Sequence, residues 1–167
     1  CDNAGIKFER WRAYDGSKLN LNDLKQKKIL SPQNKMIVGA IGCSMSHINL
    51  WKHCNQLNDK YILVLEDDCL IDKKFKKKLK LYIKQLPNNW DIFYLGASNI
   101  NGKKISKNIL IPNTNIDSRS TENTGMYAMM INKDILPRLI RENIPISGNI
   151  DQTIKNNLFE NLNVYFA

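Results

Sequence analysis

The chain has 167 residues, 43% of them hydrophobic and 8% aromatic, which fits one domain, residues 1–167, with a core of its own. Eight glycines and five prolines exclude a collagenous or linker-like chain, and no apolar run approaches the roughly 20 residues of a membrane-spanning helix. The net charge of +9 invites a nucleic-acid reading, but Lys, Asn and Ile, all encoded by A/T-rich codons, are abundant throughout, so the excess reads as a solvated surface with no nucleic-acid partner.

The opening residues, CDNAGIKFERW, carry charge where a secretory leader is apolar, so no targeting segment is expected. Met36–Val38 is a short apolar strand candidate ending at Gly39. Ile41 to Leu57 then reads as a helix, because Ile41, Met45, Ile48, Trp51 and Cys54 recur at three- and four-residue steps. Tyr61–Leu65 is a continuous apolar run of strand length, the signature of a strand buried on both faces. From Asp72 to Leu86 a second helical stripe (Phe75, Leu79, Tyr82, Ile83, Leu86) alternates with Lys73, Lys74, Lys76, Lys77, Lys78, Lys80 and Lys84. Asp72 is its expected cap and Pro87 its stop. The lysine face is expected to be solvated, with peripheral contact to a membrane surface as its secondary reading.

Asp91–Leu95 is the next strand, closed by Gly96. Asn99 to Ser120 is polar and reads as loop with a short hairpin around Gly102. Gly125–Ile131 is a further strand, Asn132 caps a helix running through Arg141, Ile150–Phe159 is another helix, and Val164–Phe166 a final strand. Alternating strands and helices predict an α/β domain with a mostly parallel sheet flanked by helices. In such sheets ligands bind beyond the carboxyl ends of the strands. Cys1, Cys43, Cys54 and Cys69 show no zinc-like spacing and read as reduced, largely core thiols.

Glu66-Asp67-Asp68 follows the buried run directly. Three consecutive carboxylates repel one another unless a cation shares them. Mn²⁺ or Mg²⁺, which takes one or two carboxylates together with substrate phosphates, is the simplest partner. A solvated acidic turn leading into the helix near Asp72 is the alternative. In an extended chain Glu66 and Asp68 would share a side.

These segments together, GAIGCSMSHINLWKHC (Gly39–Cys54), YILVLEDDCLID (Tyr61–Asp72) and WDIFYLG (Trp90–Gly96), resemble glycosyltransferase family 25. That family includes bacterial lipooligosaccharide galactosyltransferases and collagen-modifying galactosyltransferases, with viral relatives. Phe8–Gly16 is similar to its early R-x-x-A-x-D-G stretch, Thr124–Ala128 to a later strand, and Pro145–Asp151 to a segment with an aspartate before a helix. The resemblance implies a GT-A-like fold, here without the family's usual first strand and so with an exposed sheet edge. It further implies a UDP-sugar donor and Mn²⁺ at the acidic motif, with Glu66 and Asp68 as ligands and Asp67 as a sugar or supporting contact. Arg10, Ala13, Ser46 and His47 would belong to the donor site, the last two near a helix start whose free N–H groups suit a diphosphate. Asp151 is the expected general base of an inverting transfer, with a helix N-cap as its alternative role.

The resulting expectation is a metal-dependent hexosyltransferase moving galactose or glucose from a UDP-sugar to a hydroxyl on a glycan or collagen-like protein, or else an inactive binding module of the same fold. A cytoplasmic setting is favoured over a secretory lumen.

Overall fold

The computed structural model describes residues 5–115 and 117–167. Six strands form one sheet: β1 (Tyr61–Leu65), β2 (Ile92–Ser98), β3 (Gly102–Lys104), β4 (Leu110–Pro112), β5 (Thr124–Asn132) and β6 (Val164–Phe166), in the spatial order β1-β5-β2-β6-β4-β3. Among the described residues five α-helices accompany them: α1 (Leu21–Gln26), α2 (Val38–Cys54), α3 (Phe75–Ile83), α4 (Leu136–Glu142) and α5 (Ile150–Leu158). Among the described residues none is long and apolar enough to cross a membrane.

The sheet is mixed and mostly antiparallel, which corrects the expectation of a mostly parallel one. β5 runs antiparallel to both β1 and β2, β4 antiparallel to both β3 and β6, and β2–β6 is the one parallel pairing among the named strands. The physical reason lies in the gap left by the first crossover. Because both pair antiparallel with β5, β1 and β2 point the same way, as a strand–helix–strand unit should. They stand one strand apart, and β5, arriving later in the chain, fills the slot in the opposite direction. The carboxyl ends of β1, β2 and β6 therefore lie at one rim of the sheet, together with the amino end of β5.

Both faces are covered. On one, Ile62, Val64, Ile92, Tyr94, Met129, Ile131 and Phe166 pack with Ile41, Met45, Ile48 and Trp51 of α2 and with apolar residues of α4 and α5. Each such buried side chain is worth about 2 kcal/mol of transfer free energy. On the other, Phe93, Met130 and Tyr165 meet Leu86, Trp90 and Ile109, with Leu79 and Tyr82 of α3 packed against them.

Local readings need four adjustments. Met36–Val38 is not a strand: Ile37 is the N-cap of α2 and is 77% exposed, and the helix begins at Val38. A sheet position would have buried that side chain. The helix Asp72–Leu86 contracts to Phe75–Ile83, where Asp72 stands before the cap and accepts hydrogen bonds from Lys74 N and Lys78 Nζ, each at 2.6 Å. The hairpin pairs Gly102 with Pro112, so Gly102 is in a strand and not in the turn. α1 is an additional element, and its cap, Asn20 accepting from Asp23 N at 3.1 Å, is a readable start signal.

Candidate active site

The rim described above is organised around the first residues of β5. Glu66 leaves β1 with its N–H donated to the Tyr127 carbonyl at 2.9 Å, and the chain then turns, Cys69 N donating to Glu66 O at 3.3 Å. This turn ends the extended geometry, so Glu66 and Asp68 do not share a side as two residues of one strand. Glu66 keeps the side of Ile62 and Val64 and reaches α2, where its Oε1 lies 3.3 Å from His47 Nε2. Asp67 and Asp68 project into solvent, and among the described residues neither meets a lysine or arginine in an ion pair. The Asp67 and Asp68 oxygens, with the Glu66 oxygen that His47 does not hold, thus form a hard donor set of the kind a Mn²⁺ or Mg²⁺ ion takes.

His47 is nearly buried, and its Nδ1 has no hydrogen-bond partner among the described residues. Burial works against the charged ring, but the Cys43 sulfur and the Glu66 carboxylate together outweigh it and hold the pKa up at about 9. Because α2 starts at Val38, Ser46 and His47 sit in its third turn, away from the free N–H groups of the helix start. This corrects the expected diphosphate cradle at these two residues.

Ser46 instead ties the early segment to α2: its hydroxyl donates to Gly42 O at 2.7 Å and accepts from Tyr14 N at 2.8 Å. Two glycines permit the approach. A Cβ on Gly42 would meet Tyr14 O at 2.8 Å, and one on Gly16 would meet Val38 O at 2.0 Å. Ala13 is thereby brought beside Ser46, exposed, while Arg10 is also exposed and joins no hydrogen bond among those of the described residues. Trp11 stacks on His53 with ring centroids 5.0 Å apart, giving that histidine a packing role.

Asp151 lies in the first turn of α5 and is not its N-cap, which is Asn149. Its Oδ1 accepts from Gln152 N at 2.8 Å and its Oδ2 crosses to β5, accepting from Gly125 N at 2.9 Å. Gly125 has φ +79, and a Cβ there would press on the Tyr127 ring and Ser98 Oγ. The Tyr127 and Ser98 hydroxyls are 2.6 Å apart. Below them Tyr94 is buried and stacked on Phe166, its phenol pushed well up by burial and by the nearby Asp151 charge. The Glu66 and Asp151 segments are thus hung on Tyr127 and Gly125, two residues apart in one strand.

Cys43 is not the core thiol its sequence context suggests. It is exposed, one helical turn before His47, and the Cys43, His47 and Glu66 ligand atoms all lie within 4.8 Å of one another. The C-x-x-x-H spacing within GCSMSH was the available signal. Cys54 is buried and Cys69 half-buried, both free; Cys1 lies outside the described residues. The α3 lysines are solvated, as expected.

Comparison with known sequences matches residues 1–148 to the family described as "Glycosyltransferase family 25 (LPS biosynthesis protein)". A "Glycosyltransferase 25 family member" from Aedes aegypti is 30% identical over 109 residues, 59% of this chain and 18% of the relative. The human protein named "Procollagen galactosyltransferase 2" is 34% identical over 119 residues, 65% of this chain and 19% of that protein. "Procollagen galactosyltransferase 1-B" of Xenopus laevis is 38% identical over 61 residues, 35% of this chain and 10% of the relative. The chain spans about a fifth or less of the length of these relatives.

Proposed function

Since the chain belongs to glycosyltransferase family 25, we propose that it transfers a hexose, galactose or glucose, from a UDP-sugar to a hydroxyl of a glycan or collagen-like acceptor, using a divalent cation and the GT-A-like arrangement the family resemblance implies. The observation that carries this reading is the acidic turn at the carboxyl end of β1, whose Asp67 and Asp68 carboxylates face solvent without a basic partner among the described residues. Glu66, Asp67 and Asp68 would hold Mn²⁺ or Mg²⁺, and the bound ion would neutralise the charge that develops on the departing diphosphate.

Asp151 is the chain's own candidate for accepting the acceptor hydroxyl proton. One of its oxygens is fixed by the Gly125 N–H and the other by the Gln152 N–H, so the carboxylate has a set orientation, and each oxygen retains a lone pair for a substrate proton. An inverting transfer needs one such base, which takes the acceptor proton as that oxygen attacks the anomeric carbon on the face opposite the departing diphosphate. Ala13 and Ser46 border the donor side through the Tyr14–Ser46 bond, and Arg10, on the same exposed stretch, is free to swing toward a nucleotide. His47 acts through Glu66, holding one carboxylate oxygen and leaving the other for the donor site.

The test is a screen of nucleotide sugars for hydrolysis and transfer with and without Mn²⁺, using free glycans and a hydroxylysine peptide as acceptors. Turnover of a UDP-hexose that requires the metal supports the reading. Binding of UDP and Mn²⁺ without turnover of any donor would assign the chain to the inactive binding class instead.

A further inference from the structure

We propose that Cys43, His47 and Glu66 form a binding site for a thiophilic divalent transition ion, Zn²⁺ foremost, adjoining the acidic turn and sharing Glu66 with it. The three residues offer one sulfur, one imidazole nitrogen and one carboxylate oxygen, all mutually within 4.8 Å. Such a mixed soft and borderline donor set is suited to Zn²⁺ and not to the hard cations that an all-oxygen site selects.

The geometry supports this in three ways. First, His47 Nε2 and Glu66 Oε1 are 3.3 Å apart, long for a charge-assisted hydrogen bond, for which about 2.7–2.9 Å is usual. It is close to the edge of a zinc tetrahedron with bonds of about 2.0–2.1 Å, which is about 3.4 Å. Second, the imidazole is nearly buried and its Nδ1 lacks a partner among the described residues. With the ring proton on that Nδ1, Nε2 turns its lone pair toward the Glu66 ligand atom. Third, the ligands stand on rigid elements. Cys43 and His47 are one turn apart on the 17-residue helix α2, and Glu66 is fixed at the end of β1 by its N–H bond to Tyr127 O. The separations wider than the His47–Glu66 one, up to 4.8 Å, involve the sulfur of Cys43, whose residue is exposed. Three protein ligands leave a fourth position for water or a substrate oxygen.

The experiment uses metal-free protein titrated with Co²⁺, a spectroscopic stand-in for Zn²⁺, with no nucleotide sugar present. One equivalent of Co²⁺ should give the tetrahedral visible absorption together with a near-ultraviolet thiolate-to-cobalt charge-transfer band, and Zn²⁺ should abolish both. Cys43→Ser, an exposed change that leaves the core alone, should abolish the charge-transfer band and weaken Zn²⁺ binding by at least the roughly 10–100-fold that changes around metal sites cost. Glu66→Gln should weaken Zn²⁺ binding while keeping the band. Cys1→Ser and Cys69→Ser should leave the spectrum unchanged. Absence of the band in the wild type, or its survival in Cys43→Ser, would overturn the proposal. Because the readout needs no sugar transfer, its failure and that of the enzymatic reading are separable.

Discussion

The Asp151 carboxylate on α5 accepts the N–H of Gly125 at the head of β5, 2.9 Å away and 26 residues distant in sequence. This bond sets one carboxylate at the rim where β1 delivers the Glu66-Asp67-Asp68 turn, and it separates a chemical from a structural role for Asp151. Asparagine can still accept from Gly125 N through its amide oxygen but cannot take a proton. Asp151→Asn should therefore lower kcat by about 10²–10⁴-fold, at a stability cost of about 1 kcal/mol because its amide nitrogen cannot accept the Gln152 N–H. Asp151→Ala leaves the Gly125 donor unpaired and should cost about 1–3 kcal/mol as well. Denaturation curves and steady-state rates of both variants check this; a fully active Asp151→Asn removes the general-base role.

Two glycines should respond in opposite ways to alanine. Gly125 has φ +79, and its Cβ would press on Tyr127, so Gly125→Ala should destabilise by about 1–3 kcal/mol. Gly39 lies in the first turn of α2, where a Cβ meets nothing within 4 Å. Gly39→Ala should stabilise by about 0.4–1 kcal/mol by restricting the unfolded chain. Urea denaturation of the pair measures both signs.

Much of the fold could be read from the chain because its signals are local. The runs Tyr61–Leu65 and Val164–Phe166 match their strands to the residue, since apolar runs of strand length between polar stretches leave few alternatives. Strand direction was not legible: the β5 insertion between β1 and β2 is a pairing across some sixty residues, and hydrophobic pattern carries no direction. For the site, the acidic turn and Asp151 were visible as residue types at element ends. The His47–Glu66 and Asp151–Gly125 contacts, which give these residues orientation, are made in three dimensions and leave no periodic trace. The same holds for Ser46, whose hydroxyl is occupied by Tyr14 N and Gly42 O, a contact that depends on the missing side chains of Gly16 and Gly42.

That Ser46 contact yields a third expectation. Ser46→Ala removes the acceptor of Tyr14 N and should cost about 1 kcal/mol, and it should loosen the Ala13–Asp15 segment, seen as faster amide exchange there and not in β1 or β5. Unchanged exchange at Tyr14 would show that Ser46 does not hold this segment.

His47 gives the pH dependence. In the metal-free protein its pKa of about 9 stands above the ordinary 6.5 because Cys43 and Glu66 outweigh burial. A folded-state pKa raised in this way means that the protonated ring contributes stability in full below 6.5 and that the contribution is lost as pH rises through about 9. NMR titration of the imidazole should find the high midpoint, and Glu66→Gln should bring it down. Stability should decline between those two pH values in the wild type and less so in His47→Gln. A midpoint near 6.5 would contradict the geometry.

The most direct test of the account is the turnover of a UDP-hexose by the wild-type protein and by Asp68→Asn, with and without Mn²⁺. Asp68 is exposed and has no ion-pair partner among the described residues, so the substitution should leave the fold intact. A metal contribution of several kcal/mol to the departing diphosphate implies a loss of at least about a hundredfold, both on removing Mn²⁺ and in Asp68→Asn. A UDP-hexose turnover rate that is indifferent to the ion and to Asp68 would contradict it.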